Sequence, residues 1–172
     1  MISKKNVAII TGADSGIGRA CAIELSRLGV DILINYHRDE KSAIETLALV
    51  EKNGAKGVIF RADVGDYAQV QEMFKTSNDK LGLPWILVNS AGINESGIYV
   101  DELDIAVFER TLRTNLYGTF YTCKEFIRLR KANGNGGKIV NITSIHEEVA
   151  RAGGSDYCAS KGAVRNLTRC LA

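Results

Sequence analysis

Five short β-prone runs recur along the chain: "NVAII" at 6–10, "DILIN" at 31–35, "GVIF" at 57–60, "WILV" at 85–88 and "KIVNI" at 138–142. Four of them are almost wholly apolar rather than alternating, the pattern of parallel strands covered on both faces. The stretches between them carry helical periodicity. Ile17, Cys21, Leu25 and Leu28 predict one apolar stripe, Ile44, Leu47 and Ala48 a second, and Val70, Met73, Phe74, Ser77 and Leu81 a third. A longer single helix is expected through Ile105, Phe108, Leu112, Leu116, Thr119, Cys123 and Ile127, closed by "NGNGG" at 133–137. After the loop "ARAGG", a last helix carries Val164, Leu167 and Leu171. Strand and helix alternating in this way specify an α/β chain with a doubly wound parallel sheet, and such sheets hold their ligands beyond the carboxyl ends of the strands.

The bulk properties narrow the function. At 172 residues, 45% hydrophobic and 24% charged with a single proline, the chain has the size of one domain with a substantial core. A net charge of +2, with no basic run longer than a pair such as Lys4–Lys5, argues against nucleic acid or a membrane surface as partner. Cys21, Cys123, Cys158 and Cys170 fall in apolar or helical patterns without a Cys-x-x-Cys pair, so the expectation is buried reduced thiols, no metal site and a cytoplasmic setting. Only Val7 to Ile10 is apolar before polar residues and glycine, too short for a signal or a membrane span.

Two motifs suggest chemistry. "TGADSGIG" (11–18) closes the first strand and opens the first helix. There Gly12 permits a tight turn, and Gly16 and Gly18 let a pyrophosphate approach the helix N-terminus, where free N–H groups and the dipole favour anions. The spacing is Gly-x3-Gly-x-Gly, not the Gly-x-Gly-x-x-Gly of the general dinucleotide fingerprint, and a ligand-free glycine-rich connection stays open as the alternative. Asp63 in "RADV" follows the third strand, where an adenine amino group would be met, and "NSAG" (89–92) follows the fourth with small residues that let a cofactor lie close. The second motif is "SDYCASKGA" (155–163), which sets Tyr157 and Lys161 four residues apart, on one face of a helix.

Taken together these motifs resemble the short-chain dehydrogenase/reductase family over nearly all of the chain: "TGADSGIG", "NSAG" in place of Asn-Asn-Ala-Gly, "TNLYGTF" with Asn115, "NITS" ending in Ser144, and Tyr157-x-x-x-Lys161. The resemblance implies a Rossmann-type fold and an NAD(P)-dependent oxidoreductase that moves a hydride between nicotinamide and a carbonyl or alcohol. It implies Tyr157 as general acid/base, Lys161 as the cation that makes the phenol more acidic and holds the nicotinamide ribose, Ser144 as the group orienting the substrate, and Asn115 as support of a proton relay. Around the dinucleotide it places Gly12, Ser15, Gly16, Ile17 and Gly18, then Asp63 and Val64, then Asn89, Ala91 and Gly92, with Tyr157 and Lys161. A phenol ionises little at neutral pH, and a cation about 4 Å away supplies roughly the 4 kcal/mol that a three-unit change requires. Asn115 also interrupts a mostly apolar helix face, and a buried amide needs partners; a purely structural hydrogen bond is the plainer reading.

The second strand runs on into Tyr36-His37-Arg38, with no acid at the place where one would bind a ribose 2′-hydroxyl; Asp31 is at the other end, and Asp39 and Glu40 suit helix capping. Arg38, with His37, fits a 2′-phosphate, which favours NADP with NAD as the alternative. "SIHE" after the fifth strand is similar to the Ser-x-His-Glu of glucose 1-dehydrogenase-like members, so a sugar is one expected substrate and a 3-oxoacyl thioester another; His146 and Glu147 would meet substrate hydroxyls, or are simply solvated. The family's later strands, Pro-Gly cofactor motif and substrate loop have no counterpart in these 172 residues. The expectation is therefore a single dinucleotide-binding domain, 1–172, truncated at its C-terminal side, with an open edge at the fifth strand. A non-catalytic nucleotide-binding module is the competing reading. Homo-oligomers, dimer or tetramer, are implied by the family.

Overall fold

The computed structural model describes residues 6–95, 97–133 and 136–172. Lys4 and Lys5, and the Gly134-Asn135 part of the expected helix stop, lie outside them. Five parallel strands, β1 (Val7–Thr11), β2 (Asp31–Tyr36), β3 (Gly57–Arg61), β4 (Ile86–Asn89) and β5 (Lys138–Asn141), form one sheet in the order β3-β2-β1-β4-β5. In register, Ile10 lies against Ile34 on one side and Val88 on the other, and Val88 against Val140. The chain therefore leaves β1 for β2 on one side and enters β4 on the other, which opens a crevice above the carboxyl ends of β1 and β4.

Helices α1 (Gly16–Arg27), α2 (Glu40–Lys52), α3 (Tyr67–Lys80), α4 (Ile105–Leu112), α5 (Gly118–Ala132) and α6 (Ser155–Leu171) complete the element order. The sheet has a core on each face, because alternate residues of a strand point to opposite sides. Ala8, Ile10, Ile32, Ile34 and Val88 pack with Ala22, Ala43 and Val50 of α1 and α2. Ile9, Leu33 and Leu87 pack with Val70, Met73 and Phe74 of α3 and with Cys123 and Phe126 of α5. Each large side chain buried in this way contributes about 1.5–3 kcal/mol relative to leaving it in water. β1 and β2 are buried along their whole length. β5 has an alternating, partly exposed pattern and pairs with β4.

Four expectations need correction. In α1 the fully buried residues are Gly18, Ala22 and Ser26; of the expected stripe, Cys21 and Leu25 pack partly buried against the core, while Ile17 (58% exposed) and Leu28 (66% exposed) face outward. The cause is proximity: α1 leaves the β1 turn so close to the sheet that small residues must face it. In α2 the fully buried residues are Ala43, Thr46 and Val50; of the expected stripe, Leu47 packs partly buried against the core, while Ile44 and Ala48 are exposed. The long helix is also not one α-helix. A π-helical turn, Arg113–Tyr117, joins α4 to α5 and adds a residue to the winding, so the inward positions run Thr111, Asn115, Gly118, Thr119, Thr122, Cys123 and Phe126 rather than through Ile105, which is exposed. Of the four free thiols, Cys123 is buried and Cys170 is exposed, against the expectation that all are buried.

Candidate functional site

The crevice holds a cleft of about 680 Å³, within the range of small-molecule and cofactor sites. One wall is the turn after β1. Gly12 has φ +60° and Gly16 φ +52°, backbone conformations that side chains rarely adopt. Their surroundings differ. A Cβ at Gly12 would lie 2.8 Å from the Ala91 Cα, so Gly12 lets the β1 and β4 turns touch, whereas a Cβ at Gly16 would meet nothing within 4 Å and that glycine faces open space. Gly18 corrects the expected role: a Cβ there would lie 2.3 Å from the Gly12 carbonyl oxygen, so it closes α1 onto its own turn instead of facing a ligand. Ser15, at the N-cap of α1, makes no side-chain cap bond, which leaves the helix N-terminus and its dipole turned to the cleft. The turn thus has the open approach and the donors that a pyrophosphate needs.

Side chains to which the motif reading assigns no role hold this turn. Asn35, buried in β2, accepts from Gly12 N–H at 3.3 Å and donates to the Ala62 carbonyl at 3.1 Å. Thr11 Oγ1 accepts from both Ser90 N–H and Ala91 N–H at 3.1 Å, and Arg19 donates to the Asp14 carbonyl at 2.6 Å and to the Ser42 carbonyl at 3.0 Å. The only advance signal for them is a polar residue at the end of an otherwise apolar strand, or just inside the helix after a glycine turn.

The cleft runs past His37, Arg38, Asp63 and Val64 to Ala91 and Gly92, then to Tyr157 and Lys161. Asp39 also lines it, but its carboxylate accepts from Ser42 N–H at 3.0 Å as the N-cap of α2, and hydrogen bonds from Ser42 hold its pKa below the ordinary value. Asp63 Oδ1 accepts from Gly65 N–H at 2.8 Å. The Asn89 side chain turns below the cleft floor, donating to Asn141 Oδ1 at 2.9 Å and accepting from Thr122 Oγ1 at 2.7 Å. At the mouth, Arg110 and Glu95 form an ion pair.

On the far side, Lys161 is almost fully buried, and desolvation lowers its pKa from the usual lysine value. Its ammonium donates to the Ile142 carbonyl at 2.8 Å and stands 5.6 Å from the centre of the Tyr157 ring. A Cβ at Gly92 would come within 3.7 Å of that ammonium, so the β4 turn and α6 meet here. Asn115, at the centre of the π turn, is buried: its Oδ1 accepts from Ile93 N–H at 2.8 Å and its Nδ2 donates to the Ile93 carbonyl at 2.9 Å and to Ser160 Oγ at 3.0 Å. One amide thereby ties the β4 loop to the residue before Lys161. Ser144 follows the cleft-lining Thr143 and opens a short 3₁₀ turn, Ile145–Glu147. The His146 ring in that turn stands edge-on to Tyr157, 6.2 Å between centres. Glu147 pairs with Arg165 at 3.4 Å, so its carboxylate serves the protein rather than standing free for a substrate hydroxyl.

Among the described residues no cluster of His, Cys, Asp and Glu has the arrangement of a metal site, and no helix is long and apolar enough to cross a membrane. The chain matches the short chain dehydrogenase family model over residues 6–172. It is similar to glucose 1-dehydrogenase 2 of Bacillus subtilis, 32% identical over 96% of this chain and 64% of that protein, and to general stress protein 39 of the same organism, 37% identical over 98% and 58%. Acetoin dehydrogenase from Enterobacter cloacae superposes with a TM-score of 0.92 at 31% identity, over 99% of this chain and 67% of that structure. The chain thus spans less than two thirds of the length of those curated relatives. With the family model matched over residues 6–172 and a parallel β3-β2-β1-β4-β5 sheet that superposes on a dehydrogenase of known structure, the chain belongs to the short-chain dehydrogenase family.

Proposed function

We propose that this protein is an NAD(P)-dependent oxidoreductase acting on a small carbonyl compound or the matching alcohol, working as one dinucleotide-binding domain in the cytoplasm and as a homo-oligomer. The observation that carries the reading is Lys161, a buried cation fixed by the Ile142 carbonyl, 5.6 Å from the Tyr157 ring and opening on the same cleft as the glycine turn. A cation held beside a phenol stabilises the phenolate that forms when its proton leaves, so Tyr157 gives the proton to a carbonyl oxygen or takes it from an alcohol. Ser144 orients that oxygen, and Asn115 keeps the β4 loop and α6 in register beneath it. The nicotinamide, when bound, supplies or accepts the hydride.

The residues fit such a cofactor. The N-terminus of α1 would hold the pyrophosphate, with Ser15, Gly16 and Ile17 supplying the approach and Gly12 and Gly18 shaping the turn. Asp63 and Val64 would receive the adenine end, and Ala91 and Gly92 would leave room for the ribose, above the bonded Asn89. Arg38, exposed on the cleft wall beside an Asp39 already occupied in capping, supports NADP over NAD. The named sugar dehydrogenase among the relatives, with His146 of the Ser-Ile-His-Glu run beside Tyr157, favours a polyol or sugar substrate ahead of a 3-oxoacyl thioester, although Glu147 of that run is taken up by Arg165.

The test is NADPH oxidation, and NADP reduction in the reverse direction, against sugars, acetoin and acetoacetyl thioesters. Tyr157→Phe should lower kcat by about 10²- to 10⁴-fold on whichever compound the parent turns over; full turnover would remove the acid/base assignment. Arg38→Ala should lower the ratio of kcat/KM for NADP(H) to that for NAD(H), and an unchanged ratio would take Arg38 out of the cofactor choice.

A further inference from the structure

Residues 144–149 are bonded largely to themselves. Glu147 N–H donates to the Ser144 carbonyl at 3.0 Å, Glu148 N–H and Val149 N–H donate to the Ile145 carbonyl at 3.2 and 2.9 Å, His146 N–H donates to Ser144 Oγ at 3.2 Å, and His146 Nδ1 lies 2.7 Å from the Val149 carbonyl oxygen. Such bonds make the segment stiff within itself, but they do not fix where it sits relative to the helix that carries Tyr157. Arg165 does. Its Nε lies 3.4 Å from Glu147 Oε1, and its Nη2 pairs with Glu148 Oε1, so one guanidinium fork holds two consecutive carboxylates. The backbone lies close as well: a Cβ at Gly162 would be 3.6 Å from the Glu147 carbonyl oxygen. Tyr157, Lys161 and Arg165 recur at four-residue spacing along α6, so the helix that presents the phenol and the ammonium also carries the clamp on the turn that begins at Ser144.

We propose that Arg165 is a positioning residue: by holding Glu147 and Glu148 it fixes the 144–149 turn on α6 and thereby sets the Ser144 hydroxyl against the Tyr157 phenol. The functional half of this statement rests on the assignment of Ser144 above; the structural half does not. Ion pairs that keep some solvent contact add little to global stability, so the clamp acts on the order of the turn and not on the melting temperature.

Hydrogen exchange on the full chain tests it without any substrate. In Arg165→Gln, and equally in the Glu147→Gln/Glu148→Gln double variant, the amides of His146 to Val149 should exchange about tenfold faster or more while those of α6 stay protected and Tm is unchanged. The triple variant should be no faster than Arg165→Gln alone, as for one shared interaction, and Arg165→Lys, a single-point cation, should recover part of the protection. Unchanged exchange in the turn, or losses that add in the triple variant, overturn the clamp. For turnover, on the panel compound that the parent converts, Arg165→Gln should lower kcat about tenfold at unchanged KM for the nucleotide. If Ser144→Ala loses turnover but Arg165→Gln keeps it, the positioning role fails and the Ser144 assignment survives. If Ser144→Ala keeps turnover, the assignment of Ser144 fails, while the exchange result still decides whether the clamp exists.

Discussion

On the β1–β2 side of the cleft, the walls are mostly apolar strands buried throughout, with bonded Thr11 and Asn35 at their ends, and two backbone turns in contact, with Gly12 against Ala91 and Gly18 against the Gly12 carbonyl. On the β4–β5 side, the same depth is filled with hydrogen-bonded polar groups. Asn89, Thr122, Cys123 and Asn141 form one set, Asn115 bridges Ile93 and Ser160, and Thr111 donates to buried Asp156 at 2.8 Å. Both sides are well packed, yet they are specified differently. The first depends chiefly on the absence of atoms, since no side chain fits at Gly12 or Gly18, with Asn35, Thr11 and Arg19 bonding the turn from outside. The second depends on partners, since each buried donor or acceptor costs about 1–3 kcal/mol when its mate is removed. This division suits the proposed chemistry: a pyrophosphate needs open backbone donors, and an acid/base pair needs a fixed polar frame.

The contrast is broken most directly at its extremes. Gly18→Val would drive a Cβ into a backbone oxygen now 2.3 Å from that position, and neither partner is a flexible side chain. The expected loss is about 3 kcal/mol or more in urea unfolding, or no folded protein at all. Gly16→Ala, where the space is open and only φ +52° resists a side chain, should cost about 1–2 kcal/mol. Equal effects at the two positions would mean that close approach is not what shapes this wall. On the other side, Asn115→Leu keeps the bulk but orphans both polar groups of Ile93, and should cost about 2–4 kcal/mol. Ile34→Val in the apolar half should cost only about 0.5–1.5 kcal/mol. A neutral Asn115→Leu would end the claim that partners specify the β4–β5 side.

The same division explains what could be read in advance. Apolar runs and glycine spacing carry period and backbone conformation, so the five strands, their parallel sheet and the turn at Gly12 to Gly18 were legible. The inward face of α1 was not, because its members Gly18, Ala22 and Ser26 are selected by proximity to the sheet, and a hydrophobic stripe search looks for large residues. Nor was the π turn at Asn115, since one extra residue in the winding leaves composition untouched and merely shifts the phase of α5. Tyr157 and Lys161 stand out by their four-residue spacing, while the Ile142 carbonyl that accepts from Lys161, the Asn115 amide that donates to Ser160, and the Arg165 pair with Glu147 belong to tertiary contacts that spacing does not encode.

Titration of a buried group sharpens the comparison by pH. Cys123 sits in the polar set, between Asn89 and Asn141, yet burial outweighs those hydrogen bonds and pushes its thiol from 9.0 up to about 11. An unfolded thiol gives up its proton near the lower value, whereas the folded one keeps it until the higher. The stability tied to this group is therefore complete below pH 9 and declines as pH rises toward 11. At pH 10.5 the expected loss from this group is about 2 kcal/mol. Burial also raises Tyr36 and Tyr67, which act in the same direction at higher pH, so the comparison must be with Cys123→Ala measured under identical conditions. Urea midpoints at pH 8 and pH 10.5 should fall further for the parent than for the variant. Equal falls would mean that the Cys123 thiolate is solvated in place, and a β4–β5 side that admits water at that depth could not be the closed polar frame that holds Asn115, Ser160 and Lys161 in position.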